Sequence, residues 1–171
     1  MRSPLILSHL CISMKITLIL IGKTDEPFIE QGFNLYLSRL RHYITINVVV
    51  IQALKDTSNL SPQQVKEREA ALILKKLSSG SILAVLDEKG TGLRSVEFSV
   101  QLQKWMNSGT RELVFLVGGA FGIADEVKKR AAFQLSLSQL TFTHQLVRLI
   151  FAEQLYRAFT IIRNEPYHNE S

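Results

Sequence analysis

One cysteine, Cys11, occurs in 171 residues, so an intrachain disulfide is impossible and a cysteine-rich zinc site is excluded. That scarcity fits a reducing, intracellular setting, here the cytoplasm. No histidine, cysteine or carboxylate cluster has metal-ligand spacing, and no metal is expected. No apolar run is long enough to span a membrane: MRSPLILSHLCISMKITLILIGK is interrupted by His9, by serines and by Lys15. The same stretch lacks a clean small-x-small cleavage site, which argues against a signal peptide. Met14 is expected to be the natural start, with residues 1–13 as an extension; an ordered extra segment is the competing reading. Internal repeats, low-complexity tracts and splitting linkers are also missing, so residues 14–171 are expected to form a single domain.

What is present is a chain with 46% hydrophobic and 20% charged residues, enough to bury a sizeable core. Its net charge of +5 favours a polyanionic partner without requiring one. The run KITLILI, from Lys15 to Ile21, is apolar on both faces and predicts a buried strand. Helical spacing follows through Phe28, Leu35, Tyr36 and Leu40, weakened by Gly32, and residues 44–51 predict a second strand. Ser61, Pro62 and Gln64 make a capping-box start for a helix through Val65, Leu72, Ile73 and Leu77 to a stop at Gly80. SILAVLD is a third strand and EKGTGLR a loop; Ser95 caps a helix that Gly109 ends; RELVFLV is a fourth strand. A glycine loop with its helix, a short strand at 134–137 and a long helix at 144–162 complete the chain. Apolar strands alternating with helices predict an α/β fold, a mainly parallel sheet with helices on both faces.

The glycine loop lies in LVFLVGGAFGIADEVKKRA. A Walker loop needs Lys-Ser/Thr after its glycines, and here Ile123 and Ala124 follow Gly122. A dinucleotide fingerprint needs G-x-G-x-x-G and an acid about 20 residues later, and both are missing. Two readings stay open: a tight turn packed under a helix, or part of a ligand cradle. The neighbouring strand ends, LDEKGTG and LSLSQLTF, favour the cradle, because open parallel sheets bind ligands beyond the carboxyl ends of their strands. Such a pocket offers backbone groups and small side chains, suits an adenosine-like ligand and lacks a triphosphate clamp.

The segments LVFLVGGAFGI, LSLSQLTFTHQLVRLIFAEQLYRAF and PYHNE closely resemble the ribosomal large-subunit pseudouridine methyltransferase family. That family belongs to the knotted SPOUT class of S-adenosylmethionine-dependent RNA methyltransferases. The resemblance runs from Met14 to the C-terminus, MKITLILIGK included, and is most specific in the C-terminal third. It implies an α/β sheet with a C-terminal trefoil knot, which periodicity would never suggest because knots are so rare. It further implies a homodimer that methylates N3 of a pseudouridine in 23S ribosomal RNA on the assembled ribosome. Carried over, its cofactor pocket uses Leu86, Gly118, Leu137, Ser138, Gln139, Leu140, Thr141 and Phe142. Three departures stand out: Ala120 where the family loop commonly has proline, Thr143 where proline precedes the histidine, and Asn169 in a usually basic position.

Methyl transfer from a sulfonium needs an aligned acceptor nitrogen and removal of its proton. His144, Tyr167 and His168 best match the motif for that work, with Arg148 and Arg157 as candidates to neutralise phosphate or the deprotonated base. Competing structural roles are open: His144 as a helix cap, Arg157 as a surface ion pair, and PYHNES as an inert terminus. The last helix is apolar on more than one side, which points independently to a homodimer interface. Arg39–His42, Lys75-Lys76 and Lys128–Arg130 are candidate phosphate contacts or plain solvated faces. The rival functions are a methyltransferase for another RNA, a noncatalytic RNA- or ribosome-binding module and, distantly, a nucleotide-binding oxidoreductase.

Overall fold

The computed structural model describes residues 14–168; the expected extension at 1–13 and the departure at Asn169 lie outside the described residues. Among the described residues five strands and five α-helices alternate: β1 (Lys15–Ile21), α1 (Pro27–Leu40), β2 (Thr45–Ile51), α2 (Pro62–Leu74), β3 (Ile82–Gly92), α3 (Ser95–Asn107), β4 (Glu112–Val117), α4 (Asp125–Arg130), β5 (Phe133–Ser136) and α5 (Leu146–Ile162). All strand pairings are parallel, in the order β2-β1-β4-β3-β5. Parallel neighbours need a crossover, and the helices supply it.

Alternation within β1 shows why both faces are covered. Ile16, Leu18 and Leu20 pack with Phe33 and Leu37 of α1, Phe98 and Leu102 of α3, and Phe151 and Leu155 of α5. Ile19 and Ile21 point the other way, toward Ala70 and Ile73 of α2 and Val127 of α4. The expected doubly covered parallel sheet is therefore found, with three helices on one face and two on the other. Phe115 and Phe151, 4.7 Å between ring centroids, join β4 to α5 inside the larger layer.

Several boundaries differ from expectation, each for a local reason. The capping box at Ser61 forms as read: Ser61 Oγ accepts from the Gln64 amide at 3.2 Å, and Gln64 Oε1 accepts from the Ser61 amide at 2.9 Å. That helix ends at Leu74, before the expected Leu77. The α3 N-cap is Arg94 rather than Ser95, because Glu97 reaches back to accept the Arg94 amide at 2.7 Å. The long final helix begins at Leu146 rather than His144, and Thr143 Oγ1 accepts the Leu146 amide at 3.1 Å. The threonine that replaces proline thus satisfies one of the helix's otherwise free amides.

The largest difference is β3, which runs through the expected EKGTGLR loop to Gly92. After a register shift between Leu86 and Thr91 it resumes pairing with β5, Thr91 opposite Leu135 and Gly92 opposite Ser136. Glycine permits this close passage: a Cβ at position 90 would lie 2.6 Å from the Gln134 carbonyl oxygen. Because that neighbour is backbone, Gly90→Ala is expected to cost about 1–3 kcal/mol as an overpacked contact. A fall in the urea midpoint at unchanged slope would measure it; an unaltered midpoint would show that the bulge can yield.

Candidate active site

The carboxyl ends of β4 and β5, with Leu86 and residues 87–89 of β3 where its register shifts, line a cavity of about 440 Å³. Of the residues expected to bind a cofactor, Leu86, Gly118, Leu137, Ser138, Leu140, Thr141 and Phe142 line it, and so does His144. Gln139 is exposed and does not. The loop after β5 is braced from within: Ser136 Oγ donates to the Ser138 carbonyl at 2.9 Å, and Ser138 Oγ accepts the Leu140 amide at 2.9 Å. That bracing leaves Leu140 at 75% exposure, an apolar lip over the opening. In the glycine loop, the Gly122 amide donates to the Gly119 carbonyl at 3.0 Å, closing the turn without the proline that Ala120 replaces.

Charge in the cavity is mixed. Lys66, Lys89 and Lys128 line it, interleaved with Asp87 and Glu88. Lys128 is bound in an ion pair with Asp87. Burial alone would raise the Asp87 carboxyl, but Lys128 and the Lys89 amide outweigh it and hold the group below the usual carboxylate range. Lysines balanced by carboxylates do not make a polyphosphate clamp, whereas apolar walls with exposed backbone suit a nucleoside-like ligand.

Glu69 was not singled out from the sequence. It is only 7% exposed, on the α2 face toward the glycine loop, and a Cβ at Gly119 would meet both its carboxylate oxygens at 3.0 Å. Burial pushes its carboxyl pKa up. A carboxyl raised in this way has its full stability below the ordinary carboxylate pKa and loses it as pH rises through the folded value. Glu69→Gln is therefore expected to be about 1–2 kcal/mol more stable than the wild type at pH 8. The difference should shrink toward pH 4; urea midpoints at the two pH values check it, and a pH-independent difference would refute it.

His144 sits at the cavity edge and is not the cap of α5. Burial lowers its pKa first, and neighbouring Arg148 lowers it further against the opposing pull of Asp25. Gln145 Nε2 donates to the Lys23 carbonyl at 3.0 Å and faces His144 Nε2 at 3.3 Å. A neutral imidazole at the rim is thus the favoured form. Arg148, expected as a phosphate or base neutraliser, cannot act so: it is fully buried and hydrogen-bonds Ile21, Gly22, Thr24 and His144. It fastens α5 to the end of β1.

Arg157, Tyr167 and His168 come together, but none lines the cavity. Arg157 Nη2 donates to Glu153 at 2.5 Å, Tyr167 OH donates to the same oxygen at 3.1 Å, and Arg157 Nη1 stands 3.4 Å from His168 Nδ1. Burial, then the hydrogen bond with Tyr36 and the Glu153 charge, raise the Tyr167 pKa, so its hydroxyl keeps its proton. Tyr43 ties Glu165 of the same tail to α1's far end. Arg39 stacks over the Tyr36 and Tyr156 rings at 5.3 and 5.6 Å, whereas Lys75 and Lys76 are exposed.

Residues 14–168 match the family described as "Predicted SPOUT methyltransferase". The chain belongs to the SPOUT methyltransferase family. Relatives include the "Ribosomal RNA large subunit methyltransferase H" of Parabacteroides distasonis and of Flavobacterium psychrophilum, each 50% identical over 157 residues, 92% of this chain and 100% of the relative. The protein of the same name from Bacteroides fragilis is 43% identical over the same coverage. A C-terminal knot goes with that family, and the cavity of this SPOUT methyltransferase lies beside its last three strands. Among the described residues no group of three or more histidine, cysteine or carboxylate side chains could hold a metal, and no helix is long and apolar enough to cross a membrane.

Proposed function

We propose that this SPOUT methyltransferase uses S-adenosylmethionine to methylate N3 of a pseudouridine in 23S ribosomal RNA, acting as a homodimer on the assembled ribosome in the cytoplasm. The observation that carries the reading is the cavity beside the register shift of β3 and the ends of β4 and β5, lined by all but Gln139 of the residues at which the resemblance puts the cofactor. Leu86, Leu137 and Phe142 give apolar walls for an adenosine moiety, and the backbone of Gly118 and of residues 137–142 gives hydrogen-bonding groups. The bound cofactor would supply an electrophilic methyl group. The chain's own residues must then hold the acceptor base and take up its N3 proton. His144, neutral at the cavity edge, is the candidate proton acceptor from within the chain. Arg157, with Tyr167 and His168, offers a cation and polar groups for an anionic base.

A homodimer reconciles the two groups, since the tail cluster lies outside its own chain's cavity. Phe28 and Leu35 of α1 are exposed beside α5, apolar surface of the kind a second copy covers. The test begins with calorimetric titration of S-adenosylmethionine, with NAD and ATP as controls. Transfer of labelled methyl onto unmethylated ribosomes, with mapping of the modified nucleotide, follows. Saturable binding of S-adenosylmethionine alone, and label on a pseudouridine of 23S RNA, is the expected result. Label on another RNA would move the substrate; binding without transfer to any RNA would leave a noncatalytic module.

A further inference from the structure

Glu153 lies on α5 outside the cavity, yet several elements converge on its carboxylate. Oε1 accepts from Arg157 Nη2 at 2.5 Å and from Tyr167 OH at 3.1 Å, and Oε2 accepts from Gln154 Nε2 at 2.6 Å. Tyr167 uses its one hydrogen on Glu153, so at 3.3 Å it accepts from Tyr36 OH of α1. Gln154 in turn accepts from Ser95 Oγ at the start of α3, at 3.3 Å. Two helices and the tail are therefore gathered at one anionic group. Arg157 also lies over the Tyr167 ring, 5.0 Å from its centroid, which fixes the guanidinium plane.

The consequence reaches His168. A guanidinium only donates, so the His168 Nδ1 that faces Arg157 Nη1 at 3.4 Å is an acceptor. In the neutral ring the hydrogen then sits on Nε2. We propose that Glu153 is a positioning residue for methyl transfer: it fixes Arg157 and Tyr167 and, through Arg157, sets the tautomer and orientation of His168. This rests on the reading that the tail addresses the acceptor base.

Glutamine tests the charge at nearly constant shape. The site presents donors to both oxygens of residue 153, whereas an amide has one oxygen and an NH₂ group. Turned one way, the new NH₂ group of Glu153→Gln faces Gln154 Nε2; turned the other, it faces the Arg157 guanidinium, which can only donate. In the full-length protein, Glu153→Gln is expected to lower kcat on unmethylated ribosomes roughly a hundredfold, the effect of a small misplacement. The ribosome KM and the calorimetric affinity for S-adenosylmethionine should stay unchanged. Nitrogen NMR of labelled histidine should show His168 moving from the Nε2–H tautomer to a mixture. Because Glu153 acts largely through the tail, the substitution should cause a much smaller further loss in a protein lacking residues 167–171.

The proposal is overturned if Glu153→Gln leaves kcat and the tautomer unchanged. It is equally overturned if the substitution lowers turnover by the same factor with the tail removed, since Glu153 would then act elsewhere. Wild-type turnover after tail removal alone would instead refute the underlying role of the tail, and the proposal with it. That result is distinct, because it needs no change at position 153.

Discussion

Replacing Arg148 by methionine is expected to destabilise the protein by about 3 kcal/mol or more, because it removes the guanidinium donors from one buried and three part-buried acceptors. The guanidinium is fully buried and has no carboxylate partner among its hydrogen bonds. Nη2 donates to the Ile21 carbonyl at 2.6 Å, Nη1 to the Gly22 carbonyl at 3.2 Å and Thr24 Oγ1 at 2.8 Å, and Nε to the His144 carbonyl at 3.1 Å. Methionine fills much of the stem volume but leaves those oxygens unpaired. Each buried orphan costs about 1–3 kcal/mol where water cannot reach it. For a domain of this size, 3 kcal/mol corresponds to a melting point lower by roughly 6–12 °C. Lysine should not rescue it, since an ammonium offers its hydrogens from one atom and cannot reproduce the fork. The damage should extend to the site, because the same side chain holds the start of α5, and hence His144, against the end of β1. Urea midpoints together with calorimetric affinity for S-adenosylmethionine check both parts. A methionine variant within 1 kcal/mol of wild type would mean that water replaces the guanidinium.

Arg148 and Arg157 also mark how far the sequence could be read. They lie on one helix, both as plausible phosphate contacts, yet one is a sealed structural clamp and the other a half-buried member of the tail cluster. The helix is apolar on several sides, so periodicity could not say which sides α1 and α3 would cover. Where the pattern was unambiguous, reading succeeded: strands apolar on both faces, alternating with helices, gave the two-sided sheet, and Ser61 with Gln64 gave the start of α2. Glycine misled in opposite ways. Gly32 weakened the expected helix, but it sits where Leu149 crosses, with a side-chain carbon 2.8 Å from where a Cβ would be. Gly90 suggested a loop, but it lets β3 pass close to the β5 backbone. Both are tertiary reasons, invisible to a local rule. Glu69 was legible and missed: it falls four residues after Val65 and four before Ile73, on the buried stripe of α2. The place of LSLSQLTF at a strand end pointed to a cradle, but the cofactor residues expected within it came from resemblance, because nothing in the spacing of SLSQLTF distinguishes a ligand loop from a turn.

Valine at position 118 is expected to weaken S-adenosylmethionine binding at least a hundredfold while leaving the domain folded, a loss of about 2.7 kcal/mol or more in binding. Gly118 directly follows Val117, whose pairing with Leu20 and Leu86 anchors β4 between β1 and β3. A Cβ at 118 would lie 2.7 Å from Ile123 Cγ1 and 3.4 Å from the Gly122 carbonyl carbon. Ile123 is itself buried in the apolar layer beneath α2 and α4, so it has little room to retreat. The strand is held on both sides and the turn is not, so the strain should pass into residues 119–122, which form a wall of the cavity. Overpacking of this kind costs about 1–3 kcal/mol, small enough for the sheet to survive. Alanine at 118 separates the contributions, since it introduces the Cβ without the branching methyls and should fall between glycine and valine. Trimming Ile123 to alanine in the valine variant should restore part of the affinity if displaced packing is the cause. Failure to restore it would mean that the valine methyls themselves occupy cofactor space. Wild-type affinity in the valine variant would remove Gly118 from the pocket, and with it the link between the glycine loop and the methyl donor.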